Sequence, residues 1–160
     1  MDMGLDISQR SFGDPVVQAL VAELQGEFVV RYGGPDETPL DITMFDPPSG
    51  MFLLGTVEAE PVAMGGWRRR PDVAALGRTV AAEIKRMYVV PAARGRGFAR
   101  LLLAALESSA RAGGADVMVL ETGLKQPEAI ALYESSGYVP VQGFGLYKDF
   151  PTARYFGKPL

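Results

Sequence analysis

The chain has 160 residues and contains neither cysteine nor histidine. Without cysteine there are no disulfides, thiolate nucleophiles, thiolate zinc sites or iron–sulfur clusters. Without histidine there is no Ser-His-Asp or Cys-His catalysis and no imidazole-ligated metal. Acid–base chemistry falls to Asp, Glu, Tyr, Lys or the substrate itself, and no metal site is expected. No apolar run approaches the ~20 residues a membrane helix needs. The N-terminus MDMGLDISQR has no basic segment leading into an apolar one, so no secretory signal is read there. The expected location is the cytoplasm, with no membrane partner.

What is present is the composition of a folded globule, 48% hydrophobic and 22% charged. The length predicts a single domain over residues 1–160. The net charge of −3 is too small to imply a polyanion partner, but it is unevenly spread. Residues 1–60 carry two cations, Arg10 and Arg31, against eleven acids. Residues 67–100 carry nine cations against Asp72 and Glu83. Such a local basic field suits a compact anion such as a phosphorylated cofactor, and it equally suits solvated arginines on a sheet edge. Arg68-Arg69-Arg70 lack interleaved aromatics and would alternate faces on a strand, so no nucleic acid is expected. They read as a solvated end or as help for a cofactor phosphate.

Periodicity predicts the elements. A short strand covers Leu5 to Gln9. From Asp14 to Tyr32 the residues Val16, Val17, Leu20, Leu24 and Phe28 recur at helical spacing, with Asp14 as cap, Pro15 in the first turn and Gly33-Gly34-Pro35 as the stop. A polar loop runs from Pro35 to Gly50. Met51–Val57 and Pro61–Arg69 form a hairpin, and Thr79–Val90 a central strand with Ala82, Ile84, Arg86, Tyr88 and Val90 on one face. Gly97–Ala112 is helical, Asp116–Glu121 a strand and Pro127–Ser136 a short helix. Val139–Tyr147 and Arg154–Phe156 form a closing hairpin. The fold class is mixed α/β, with a β-α-β unit over 83–121 expected to make a parallel crossover. Trp67 reads as hairpin core, and exposed sheet edges make a homodimer reasonable.

The informative segment is Met87-Tyr88-Val89-Val90-Pro91-Ala92-Ala93-Arg94-Gly95-Arg96-Gly97-Phe98-Ala99-Arg100. A strand enters a glycine-containing turn that opens a helix. Such a turn gathers free N–H groups at the positive end of the helix dipole, where a phosphate binds well. It is also an ordinary strand-to-helix turn. A Walker loop needs Gly-Lys-Ser/Thr where Phe98-Ala99 stands, and the dinucleotide pattern lacks its third glycine, replaced by Arg100.

Arg94-Gly95-Arg96-Gly97-Phe98-Ala99 resembles the Q/R-x-x-G-x-G/A acyl-CoA signature of the GNAT N-acetyltransferases. Ala129-Ile130-Ala131-Leu132-Tyr133-Glu134-Ser135-Ser136-Gly137-Tyr138 resembles that family's A-x-x-L-Y-E-x-x-G-F/Y run. The resemblance implies a mostly antiparallel sheet around a parallel acyl-CoA-binding β-α-β unit, and an acetyl-CoA-dependent N-acetyltransferase acting on a small-molecule or protein amine. The amides of Arg94 to Ala99 would hold the CoA pyrophosphate. The backbones of Met87 and Val89 would pair with the pantetheine arm, with the Val89 N–H on the thioester carbonyl, and Tyr133 would protonate the departing thiolate. Gln126 stands where the family commonly has Asn beside the cofactor. A non-catalytic acyl-CoA-binding module is the alternative.

An ammonium must lose a proton before it attacks a thioester, and with no histidine a carboxylate is the natural recipient. Glu83, where some family members carry their base, is the first candidate, and an ion pair with a neighbouring arginine is its other reading. Glu121 is the second, at the end of a parallel strand where ligands tend to bind. Tyr133 shares a helical face with Ala129 and Leu132, so core packing is its alternative. The acidic loop 35–50 is expected on the acceptor side.

Overall fold

In the computed structural model, which describes residues 4–160, Asp14 does cap the first long helix. Its carboxylate accepts from the Val16 N–H at 2.8 Å, Pro15 opens the first turn and Gly33 closes the helix at φ 82°. The element order is β1 (Asp6–Gln9), α1 (Pro15–Tyr32), β2 (Gly50–Val57), β3 (Glu60–Arg69), β4 (Ala81–Val89), a 3-10 turn (Pro91–Ala93), α2 (Phe98–Ala112), β5 (Val117–Gly123), α3 (Pro127–Ser135), β6 (Val139–Pro140) and β7 (Ala153–Pro159). The strands make a seven-stranded sheet ordered β1-β2-β3-β4-β5-β7-β6. All neighbours pair antiparallel except β4 and β5, which run parallel and are joined through α2. The mixed, mostly antiparallel sheet is the predicted one.

Helices cover both faces of the sheet. Val17, Leu20 and Leu24 of α1 pack with Phe45, Phe52, Leu54, Met64 and Tyr88. Leu102, Leu103, Leu106 and Ala110 of α2 pack on the other face with Leu53, Trp67, Ile84, Met118 and Leu120. Burying each such side chain contributes roughly 1.5–3 kcal/mol. Trp67 is core, as expected, and its indole N–H donates to Ser109 Oγ at 2.9 Å.

Two expectations are corrected. The regular face expected for the central strand breaks at Arg86. Met64 pairs Tyr88 while Gly66 pairs Lys85, so Gly65 alone opposes Arg86 and Met87. This is a β-bulge with Arg86 at φ 57°. Ala82 and Ile84 therefore face α2, whereas Tyr88 faces α1, and Met87 and Val89 take the α2 side. Pairing of β4 with β5 stops at Ile84 and Leu120, and the strands part beyond it. The closing hairpin is also shorter than expected. Its first strand ends at Pro140, one further bond joins the Val141 N–H to the Tyr155 carbonyl, and Gly145 takes φ 76°. Residues 141–152 then run irregularly across the sheet's end, and β7 extends to Pro159.

Candidate active site

Where β4 and β5 part, two cavities open and meet. The narrower, of ≈ 320 Å³, is lined by Met87, Val89 and the signature turn, including Gly95, Gly97 and Ala99. Gly95 and Gly97 both sit at φ 80°, a conformation that L side chains rarely adopt. Gly97 caps α2 without any side-chain hydrogen bond, which leaves the first-turn amides of that helix free for an anion. Val90 N–H donates to Val62 of β3, so the backbone groups of Met87 and Val89, alternating along the strand, turn toward the gap. An exposed strand edge leading to an uncapped helix N-terminus fits a pantetheine arm followed by a pyrophosphate.

The flanking cations are more constrained than a mobile set. Arg94 donates to the Val89 carbonyl at 2.9 Å, pairs with Glu27 at 2.7 Å and lies over the Tyr88 ring. It locks the turn to β4 and α1. Arg100 donates to Ser135 and Ser136 of α3, and Arg96 projects into solvent with no partner among the described residues. The Arg68-Arg69-Arg70 run is neither a solvated end nor near the turn. Arg68 and Arg70 both hold Glu83, and Arg69 reaches the Gly113 carbonyl.

The wider cavity, of ≈ 510 Å³, lies between α1, the parted ends of β4 and β5, and the 141–152 segment. Leu24, Phe28, Met87, Gln126, Ala129 and Tyr133 line both cavities and so mark their junction. Tyr133 is 7% exposed and its hydroxyl has only the Met87 sulfur, at 3.6 Å, as partner. Burial pushes its pKa well above the usual phenol range. Gln126 does not cap α3 with its side chain. Its amide oxygen accepts from the Tyr32 hydroxyl at 3.1 Å, a contact made possible by Gly123, where a Cβ would run into the Tyr32 ring.

The two candidate carboxylates have different fates. Glu83 is 3% exposed, and one of its oxygens accepts from Arg68 at 3.0 Å and Arg70 at 2.8 Å. It does not line either cavity. Glu121 does line the wider one, half-buried. Burial, countered by the nearby Lys85 ammonium and reinforced by the Asp36 and Glu83 charges, pushes its pKa up to about 7. Tyr155, directly opposite on β7, buries its hydroxyl beside that carboxylate. The loop after α1 borders the wider cavity through Asp36 and Glu37. Tyr32 and Phe150, to which sequence reasoning gave no role, also line it, as do Lys85 and Arg86, read only as part of a basic field, and Tyr147. Only the tertiary fold brings them together.

A parted parallel strand pair, an uncapped glycine turn and a buried tyrosine at the junction of two cavities define an acyl-CoA-dependent acetyltransferase. Residues 17–138 match the Acetyltransferase (GNAT) family, and the chain belongs to it. It is 34% identical over 147 residues, 92% of each protein, to an IAA acetyltransferase of Azospirillum brasilense. A Klebsiella pneumoniae structure assigned to the acyl-CoA N-acyltransferases superposes with a TM-score of 0.82 at 29% identity, covering 99% of both chains. A GNAT acetyltransferase from Elizabethkingia anophelis with acetyl-CoA bound shares the fold, with a TM-score of 0.69 at 17% identity over 99% of this chain and 100% of that one. Acetyl-CoA is the donor this family uses. No helix among the described residues is long and apolar enough to cross a membrane.

Proposed function

We propose that the chain is one N-acetyltransferase domain that moves an acetyl group from acetyl-CoA to a primary amine by direct attack, with Glu121 rather than Glu83 as the base. The observation that carries this reading is the junction at Met87, Gln126, Ala129 and Tyr133, where the donor cleft and the wider cavity share walls. The donor would bring an activated thioester to that junction.

The amides from Gly95 to Ala99 bind the donor's pyrophosphate, the Arg94 N–H being held by the Pro91 carbonyl, and the backbones of Met87 and Val89 align its arm. The Val89 N–H is aimed where negative charge develops on the carbonyl oxygen, and a donor already in place costs no reorganisation. Phe98 anchors the turn in the core with Val57 and Ala93. On the acceptor side the ammonium gives a proton to the Glu121 carboxylate, directly or through one water, which frees the nitrogen lone pair. A carboxyl titrating near 7 is matched to this task, because it is partly ionised at neutral pH and basic enough to take the proton. Tyr133 Oη holds its proton until sulfur leaves beside it. Burial makes the phenol a reluctant acid, and a thiolate born in the same apolar place is a correspondingly strong base.

The pH profile of turnover tests the base. The kcat/KM, which reports groups of the free enzyme, should climb as pH rises through about 7, where Glu121 loses its proton. In Glu121→Gln that limb should vanish and turnover should fall by roughly 10²-fold or more. An unchanged limb in Glu121→Gln would remove Glu121 from the mechanism.

A further inference from the structure

The wider cavity is lined by three cations, Lys85, Arg86 and Lys125, and three carboxylates, Asp36, Glu37 and Glu121. Glu37 and Lys125 are exposed, where water screens them. Asp36 is already saturated. Its Oδ2 accepts from Lys85 Nζ at 3.1 Å and from Arg86 at 2.5 Å, and its Oδ1 from the Thr38 N–H at 3.0 Å and hydroxyl at 2.7 Å. A carboxylate offers about four acceptor sites, so Asp36 has none left for a substrate ammonium. The acidic loop is therefore no trap for a cation.

The cations are not saturated. Lys85 and Arg86 are each 7% exposed. Lys85 gives Asp36 one of its three donors, and Arg86 Nε is buried without a partner. Two buried cations share one carboxylate, so this wall keeps spare positive charge and spare donors.

Register supplies the geometry. Ile84 and Leu120 are the last pair of β4 and β5, and both face α2. The next residues, Lys85 and Glu121, turn to the opposite face and both line the cavity. The Lys85 ammonium is close enough to act on the Glu121 carboxyl, without an ion pair between them, at the point where the strands part. Leu24 and Phe28, which line both cavities, supply an apolar wall where the two meet.

We infer that the acceptor is an α-amino acid, its carboxylate bound by Lys85 and its ammonium facing Glu121, with an apolar side chain against Leu24 and Phe28. This rests on the transfer reading above and narrows its acceptor. A zwitterion places its two charges on one carbon, in the complementary order to this pair. A plain amine leaves the Lys85 donors not used by Asp36 without a partner beside a buried cation, which costs affinity. A protein N-terminus, whose neighbouring carboxyl is an amide, leaves them equally unmatched.

Calorimetric titration of the CoA-saturated protein tests this with matched ligands: L-phenylalanine, L-leucine and L-methionine, then 2-phenylethylamine, isopentylamine and L-phenylalaninamide. The amino acids should bind at least tenfold tighter than the amines, about 1.4 kcal/mol, and the amide should behave as an amine. Lys85→Met should reduce the preference below threefold in a protein that still gains thermal stability from acetyl-CoA. Equal or tighter binding of the amines, or no binding of any amino acid, overturns the inference. Thiol release with the same compounds separates it from the transfer reading. Preferred binding of amino acids with no release from any compound keeps the recognition and overturns transfer, whereas release from amines alone overturns the recognition.

Discussion

The donor cleft and the acceptor cavity share a wall, yet they are built by opposite means. The donor cleft is made of backbone: amides at an uncapped helix start, two glycines at φ 80° and a strand edge left open by a bulge. About half of its lining comes from one run, residues 87–100, and the rest from α1 and residues 126–133. The acceptor cavity is made of side chains brought from α1, β4, β5, α3 and the irregular 141–152 segment. A backbone site recognises a group that never changes, a diphosphate and its amide arm. A side-chain site can be altered residue by residue without disturbing the turn. One fold can therefore keep its donor and vary its acceptor.

The sharpest way to break the donor half is Gly97→Glu. The glycine's conformation is strained for any side chain, and a Cβ there points into open space on the cleft side. A carboxylate would stand where the pyrophosphate binds. Acetyl-CoA affinity should fall at least 100-fold in a protein that remains folded by circular dichroism. A ligand at ~100 times its dissociation constant adds about 2.7 kcal/mol of stability, so loss of the acetyl-CoA thermal shift is the measurement. A retained shift would return the turn to an ordinary strand-to-helix connection.

Tyr133→Phe separates chemistry from binding at the junction. The hydroxyl's single contact is a weak one to sulfur, so its removal should leave stability and acetyl-CoA affinity nearly unchanged. If Tyr133 supplies the proton for the leaving sulfur, kcat should fall by roughly 10²-fold or more. Equal turnover would make Tyr133 a core residue, consistent with its edge-on packing against Tyr138.

This contrast also explains what was legible from the chain alone. The strands, the helices and the donor turn leave local marks: apolar periodicity, a cap at Asp14, glycines beside arginines. The bulge at Arg86 leaves none, because it arises from pairing with β3, and it reverses the faces expected for Tyr88, Met87 and Val89. Glu83 and Glu121 look alike in sequence. The first meets Arg68 and Arg70 from the adjacent strand, and the second meets a cavity. Lys85 and Arg86 read as members of a basic field until Asp36, about fifty residues earlier, is seen to claim them. Gln126, read as standing in place of a cofactor-side Asn, proves to be a partner of Tyr32, again a contact that spacing cannot reveal.

The smallest expected effect on turnover belongs to Glu83→Gln, and it compares the two carboxylates directly. Glu83 is buried and its oxygen is shared by two arginines, so removing its charge leaves both guanidinium groups under-compensated in a poorly solvated place. Breaking such a pair costs on the order of 3 kcal/mol, which for a chain of this size lowers the melting temperature by close to 10 °C. Turnover by the folded fraction should change by less than about threefold, against a loss of roughly 10²-fold or more on removal of a general base. One kinetic trace should remain. The Glu83 charge helps to hold the Glu121 pKa up, so its loss should move the acidic limb of the pH–rate profile to lower pH. A large drop in turnover with no change in melting temperature would instead make Glu83 the base and leave Glu121 as a wall of the acceptor cavity.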